Sequence, residues 1–166
     1  MFQPGDLIIY GRTGVCRVEK IEEQDDRQYY CLRALYQTCI IHAPVNGKVL
    51  IRPVLSREEA DRLIDSIPSV IVNPVECRVL RELINHYLDS VNTCDAAELL
   101  AMTMSIYAKK QQAVKAKKKL GAIDERFLRE GESLLFGELG VSLGIPPEEV
   151  PNYIQARLSE QSSNRP

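Results

Sequence analysis

The chain has 166 residues, enough for one domain or two small ones, and its 45% apolar and 27% charged composition is that of an ordinary globular protein. No apolar run approaches the roughly 18 residues that a membrane-crossing helix needs. The opening Met1-Phe2-Gln3-Pro4-Gly5-Asp6 holds an acid and no basic stretch, so no signal peptide is expected and a cytoplasmic location follows. A net charge of −2 excludes an overall field that draws in nucleic acid, but it leaves local clusters open.

The first fifty-odd residues predict short strands separated by turns. Asp6-Leu7-Ile8-Ile9-Tyr10 is a strand ended by Gly11-Arg12-Thr13-Gly14, whose glycines suit a tight turn. Residues 15–21 alternate apolar and polar side chains, the period of a half-buried strand. A charged loop over 22–27 leads to a third strand at 28–35, a fourth at 38–43 and, after Pro44-Val45-Asn46-Gly47, a fifth at 48–52. Five short strands in so little chain predict a small, strongly bent sheet or barrel.

At Pro53 the pattern turns helical. Ser56-Arg57-Glu58-Glu59 is a capping box that starts a helix running to about Asp65. Asn73-Pro74-Val75-Glu76 reads as a second start, with Val79, Leu80, Leu83, Ile84, Tyr87 and Leu88 behind it at helical spacing. Asp95-Ala96-Ala97-Glu98 opens a third helix, with Leu99, Leu100, Met102, Ile106 and Tyr107 as its apolar residues. Asp124 starts a fourth, with Phe127, Leu128, Leu135 and Leu139 as its apolar face, ended by Gly144-Ile145-Pro146-Pro147. A fifth covers 148–158, with Pro151 in its first turn, and 161–166 reads as a disordered tail. Strands followed by helices predict an α+β protein: a β module over 1–53, a helical module over 54–160, and the tail.

Chemistry-bearing residues are few. Cys16, Cys31, Cys39, Cys77 and Cys94 are odd in number and lack C-x-x-C spacing, so buried reduced thiols are expected, with no metal site and no cofactor. His42 and His86 have no nucleophile or carboxylate partner by spacing, and no phosphate-loop, dinucleotide or hydrolase motif occurs, so an enzyme ranks last. The Gly11-Arg12-Thr13-Gly14 turn could cradle an anion, but a hairpin is the simpler reading. Tyr10, Tyr29, Tyr30 and Tyr36 could stack bases, though in and beside strands they suit packing better. The sharpest feature is Lys109, Lys110, Lys115, Lys117, Lys118 and Lys119, with no acid among them. Such a run either neutralises phosphates or is a solvated helix end that complements the dipole. Arg126 and Arg129 on the next helix, and Arg78 and Arg81 on the second, would extend it into a basic face if the helices pack together; Glu125, Glu130 and Glu132 lie close by.

Phe2-Gln3-Pro4-Gly5-Asp6-Leu7-Ile8-Ile9-Tyr10 with Gly14-Val15-Cys16-Arg17-Val18, and Lys48-Val49-Leu50-Ile51-Arg52-Pro53-Val54, resemble the opening and close of the first module of bacterial CarD-like (CdnL) transcription regulators, a module also found in transcription–repair coupling factor. Cys94-Asp95-Ala96-Ala97-Glu98-Leu99, Ile106-Tyr107-Ala108-Lys109-Lys110-Gln111-Gln112, Asp124-Glu125-Arg126-Phe127-Leu128 and Leu135-Phe136-Gly137-Glu138-Leu139 are similar to the helical half of that family. The resemblance implies a Tudor-like module that docks on the RNA polymerase β subunit, through Gln24, Arg27, Arg33 and His42. It also implies a helical module that touches the backbone and minor groove of promoter DNA at the upstream edge of the bubble and favours the open complex, as at ribosomal RNA promoters. Family members typically carry a Trp wedge near the start of the second module. This chain has no Trp, and the equivalent stretch is Asn73-Pro74-Val75-Glu76-Cys77-Arg78; His42 stands where the family often has a basic contact. A monomeric polymerase-tethered regulator is therefore expected. The alternatives are a polymerase-binding adaptor with little or no DNA contact and a stand-alone nucleic-acid-binding protein.

Overall fold

Five strands open the chain, and where they turn depends on which residues accept unusual backbone angles. The computed structural model describes residues 1–164. β1 (Leu7–Tyr10), β2 (Gly14–Gln24), β3 (Arg27–Ala34), β4 (Ile40–Pro44) and β5 (Ile51–Pro53) form one antiparallel sheet in the order β4-β3-β2-β1-β5. The charged loop expected over 22–27 contracts to two residues, Asp25 and Asp26, at φ 51° and 57°. Two positive φ angles are what a tight hairpin turn matching the strand twist requires, and Asp tolerates them through its short polar side chain. The fifth strand is shorter than expected, because Val49 and Leu50 stay in solvent ahead of it. A bulge between Val18 and Lys20 sharpens the bend of β2. One face of the sheet buries Ile8, Cys16, Val18, Tyr30, Leu32, Ala34 and Ala43 as its own core.

The helices follow. α1 (Arg57–Asp65) has the expected capping box: the Glu59 N–H donates to Ser56 Oγ at 3.1 Å and the Ser56 N–H to Glu59 Oε2 at 2.8 Å. α2 (Leu80–Asn92) starts well after Asn73-Pro74-Val75-Glu76, correcting the sequence reading. The reason lies in α3 (Ala96–Lys115): the Asn73 N–H donates to Ser105 Oγ at 3.0 Å and Lys109 Nζ donates to the Val75 carbonyl at 3.0 Å, holding residues 70–79 as an extended strap. α3 is capped by Asp95 as expected. Its last turn closes as a Schellman motif, the Lys117 and Lys118 N–H groups donating to the carbonyls of Val114 and Ala113, with Lys117 at φ 56°.

α4 (Ala122–Leu143) buries Phe127, Leu128, Leu135 and Leu139 and ends at left-handed Gly144, both as expected. Its start differs: Gly121 occupies the cap position, and the Asp124 carboxylate is buried elsewhere. α5 (Val150–Ser163) begins with Pro151 in its first turn and runs on through Gln161, so the tail expected to be disordered is helical to Ser163; Arg165 and Pro166 lie outside the described residues. Gln161 is held because its amide donates to Asp65, which also takes a two-pronged bond from Arg157 at 2.6 and 2.9 Å. Only Cys16 and Cys31 are buried; Cys39, Cys77 and Cys94 are partly exposed, a correction to the expectation of five buried thiols. Burial pushes the Cys16 thiol up to about 11, with Cys39 adding a smaller push in the same direction.

The helical region forms two cores. Leu83, Tyr87, Val91, Met102, Ile106, Phe127 and Leu128 join α2, α3 and α4, while Ala60, Ile64, Leu139, Leu143 and Val150 join α1, α4 and α5. α4 belongs to both and also meets the sheet. The Arg12 guanidinium pairs with Glu130 at 2.8 and 2.9 Å, Tyr36 Oη donates to the Gly137 carbonyl at 3.0 Å, and Arg52 grips both Glu138 oxygens at 2.6 and 2.7 Å. Among the described residues, no helix is long and apolar enough to cross a membrane.

Candidate functional site

Two surfaces collect the residues singled out above. The first is the open end of the outer sheet face. Register places Gln24 opposite Arg27, Glu22 opposite Tyr29, Cys31 between Lys20 and His42, and Arg33 between Arg17 and Ile40. Because cross-strand partners share a face, Gln24, Arg27, Arg33 and His42 stand on one side of the sheet, and all four are exposed. Sequence reasoning missed Arg17, Tyr29 and Ile40 on the same face, although strand alternation alone could have placed them there. Further along that face, Ile9 and Val15 are buried beneath the helical region.

The cations of this face have acidic neighbours. Arg33 Nε lies 2.5 Å from Glu19 Oε1, and His42 Nδ1 lies 3.4 Å from Glu22 Oε2, beside the Lys20–Glu22 pair. The hydrogen bond from Arg33 holds the Glu19 carboxyl below its ordinary range, and the bond from Lys20 does the same for Glu22. Solvent screens such exposed pairs and leaves each only weakly stabilising, so a partner's charges can replace them. β4 is an edge strand carrying exposed Ile40, which leaves backbone donors and acceptors on its outer side available to another chain.

The second surface is one end of the helical region, where the starts of α2 and α4 meet the end of α3. Tyr87 of α2 stacks on Phe127 of α4 at 5.1 Å, and Lys109 near the end of α3 reaches both Asp124 and the strap before α2. Lys110, Lys115, Lys117, Lys118 and Lys119 are exposed here, as are Arg126 and Arg129 on α4 and Arg78 and Arg81 flanking the start of α2. Arg126 lies 5.3 Å over the Phe127 ring. Of the nearby acids, Glu130 is paired with Arg12, while Glu76, Glu82 and Glu125 are exposed among the cations.

Lys109 departs from the rest. Its side chain is 14% exposed, and its ammonium sits 2.9 Å from Asp124 Oδ2 and 3.0 Å from the Val75 carbonyl. It faces inward and presents no free charge to a phosphate. Val79 and Leu80 correct the sequence reading in the opposite sense. Placed on the apolar face of the second helix, they are 52% and 62% exposed, between Arg78 and Arg81. Helical spacing misled because α2 begins only at Leu80, so its buried stripe is Leu83, Tyr87 and Val91. Tyr107, expected in the apolar set of α3, is exposed as well.

Among the described residues, no cluster of three or more His, Cys, Asp or Glu is placed to hold a metal ion. A groove of about 690 Å³ between α1 and the start of α3 is lined by Arg52, Glu59, Arg62 and Asp95, but Arg52 is engaged by Glu138 and Asp95 caps α3.

No curated protein matches the chain. The family model for the CarD-like/TRCF RID domain matches residues 2–55, which span all five strands and end where β5 hands over to α1. The first fifty-five residues, with their open outer face and free β4 edge, are therefore a CarD-like/TRCF RID domain, a protein-interaction module for RNA polymerase.

Proposed function

We propose that the chain is a transcription regulator that docks on the RNA polymerase β subunit through Gln24, Arg27, Arg33 and His42 and contacts upstream promoter DNA with the basic end of its helical region, modulating the stability of the open complex. The observation that carries the DNA half is the convergence of eight exposed cations from three helix termini: Arg78, Arg81, Lys110, Lys115, Lys117, Lys118, Lys119 and Arg126, with Arg129 one turn further along α4. Lysines and arginines so placed release counterions on meeting a phosphate backbone, and this binding is blind to sequence. Val79 and Leu80, exposed between two arginines, supply the apolar element that a kinked or partly unstacked base step accepts. They directly follow residues 73–78, the stretch that the resemblance sets against the family's Trp region. Lys109 is left out of the DNA-facing set because Asp124 and Val75 already hold its ammonium.

Binding to forked promoter DNA, followed across salt concentration, tests this reading. Replacing Lys115, Lys117, Lys118 and Lys119 with Gln is expected to weaken binding and to flatten the dependence on salt by roughly 0.9 for each phosphate no longer neutralised. Leu80→Ser is expected to weaken binding to forked DNA while leaving the salt slope alone. Unchanged affinity and slope in the quadruple variant would remove the lysine run from the DNA contact, and a parent chain that does not bind forked DNA would leave the adaptor reading, in which polymerase is bound and DNA is not.

A further inference from the structure

We infer that Lys109 is a positioning residue for the DNA-facing tip, acting through a buried Lys109–Asp124–Tyr87 network that pins the strap before α2; the inference rests on the DNA-binding reading above. Asp124 is buried, and each of its oxygens is engaged: Tyr87 Oη donates to Oδ1 at 2.5 Å and Lys109 Nζ donates to Oδ2 at 2.9 Å. The same ammonium donates to the Val75 carbonyl at 3.0 Å, so one cation joins α3, α4 and the strap. Burial, and then the hydrogen bond and charge of Asp124, push the Tyr87 hydroxyl well above its ordinary range, which keeps it a donor.

The strap needs this tie. Residues 70–79 form no helix or strand, and Ile71 and Val72 are exposed, so this part of the strap buries little apolar surface to hold itself down. Two bonds with α3 side chains fix its backbone, one from Asn73 to Ser105 and one from Lys109 to Val75. Downstream, α2 starts without a side-chain cap: Val79 is its cap residue, and the first turn closes only on the Val79 carbonyl. Leu80 and Arg81 ride on α2, which Leu83 and Tyr87 anchor in the core, whereas Arg78 and Val79 precede it and take their place from the strap and from Cys77 packed on that core. Lys109 makes one of the two side-chain bonds that hold the strap on α3. A lysine that reads like its neighbours in sequence thus does a different job, ordering the tip instead of meeting a phosphate.

The two roles differ in what happens to the strap when the cation is removed. Deleting a cation that neutralises a phosphate leaves the backbone of the strap as it was, whereas freeing the strap loosens 73–83 and, because the tip carries Arg78 and Arg81, weakens binding with it. The variants are Lys109→Gln, Lys109→Arg as a charge-retaining rescue, and the paired Lys109→Met/Asp124→Leu, which removes the buried charges together so that no lone carboxylate is left to unfold the protein. Forked-DNA affinity of the paired variant is expected to fall roughly tenfold, while Lys118→Gln weakens binding without loosening the strap. Amide hydrogen exchange in the free full-length chain is expected to quicken over 73–83 and to stay as in the parent over β1–β5. Lys109→Arg is expected to restore both properties. Undisturbed exchange over 73–83 in the paired variant, or forked-DNA affinity equal to the parent's despite quickened exchange there, overturns the inference. A parent chain that does not bind forked DNA overturns the function reading and the role with it, even where the exchange result shows the tether itself to be real.

Discussion

Glu138 is nearly closed off from water, and both of its oxygens are held by Arg52 while Oε1 also accepts the Leu55 N–H at 3.2 Å. Arg52 in turn donates through Nε to the Cys94 carbonyl at 2.5 Å, so the pair is hydrogen-bonded on every side. Removing one charge of such a pair leaves the other poorly compensated. Glu138→Gln is expected to cost about 2–4 kcal/mol, somewhat less than breaking a fully buried pair because 26% of the Arg52 side chain still meets solvent. Thermal or urea unfolding of the purified variant measures this; a midpoint equal to the parent's would show that the pair adds nothing. None of this is legible in the sequence. Arg52 and Glu138 lie eighty-six positions apart, and each reads alone as an ordinary charged residue. The same is true of Lys109, which only the placement of Asp124 separates from Lys110 and Lys115.

At the scale of elements, the sequence speaks clearly wherever the deciding interaction is local. The Ser56 capping box, the Asp95 cap and left-handed Gly144 each use groups within a turn or so of one another, and each boundary falls where the residues put it. The start of α2 escapes sequence reasoning because its local signal loses to distant partners: Ser105 and Lys109 take the backbone groups of Asn73 and Val75. α5 outruns its expected end for a similar reason, since Asp65 on α1 holds Arg157 and Gln161 across the helix pair. That clasp makes a pH prediction. The Arg157 hydrogen bond outweighs the opposing push of burial and, with the Arg157 charge and the Gln161 bond, holds the Asp65 carboxyl below its ordinary range. A carboxyl whose folded pKa is depressed contributes stability that is complete above the unfolded value of about 4 and is lost as pH falls through the lower folded value. Asp65→Asn is therefore expected to be less stable than the parent at neutral pH, with the gap closing below about pH 4. A gap that persists undiminished in acid would mean that the carboxylate's charge is not what the clasp uses.

At the scale of the whole molecule, α4 is the beam that joins the two surfaces. From Glu130 onward it is bonded to the sheet and its exit, through Glu130, Gly137, Glu138 and Ser142, whose hydroxyl donates to the Leu55 carbonyl at 2.7 Å. Its first turns carry Arg126 and stand beside the lysine run. At 1.5 Å per residue, Ala122 lies about 24 Å along the helix from Glu138. The RID domain and the basic end are thus held at opposite stretches of one rod, an arrangement suited to holding polymerase and DNA together across that span. The lifetime of promoter open complexes, measured with the parent chain and with the Lys115, Lys117, Lys118 and Lys119→Gln variant at concentrations where both occupy the polymerase β lobe equally, tests this most directly. If the chain acts as such a bridge, the parent changes the lifetime and the variant, though docked, does not. An equal change from both proteins would contradict it.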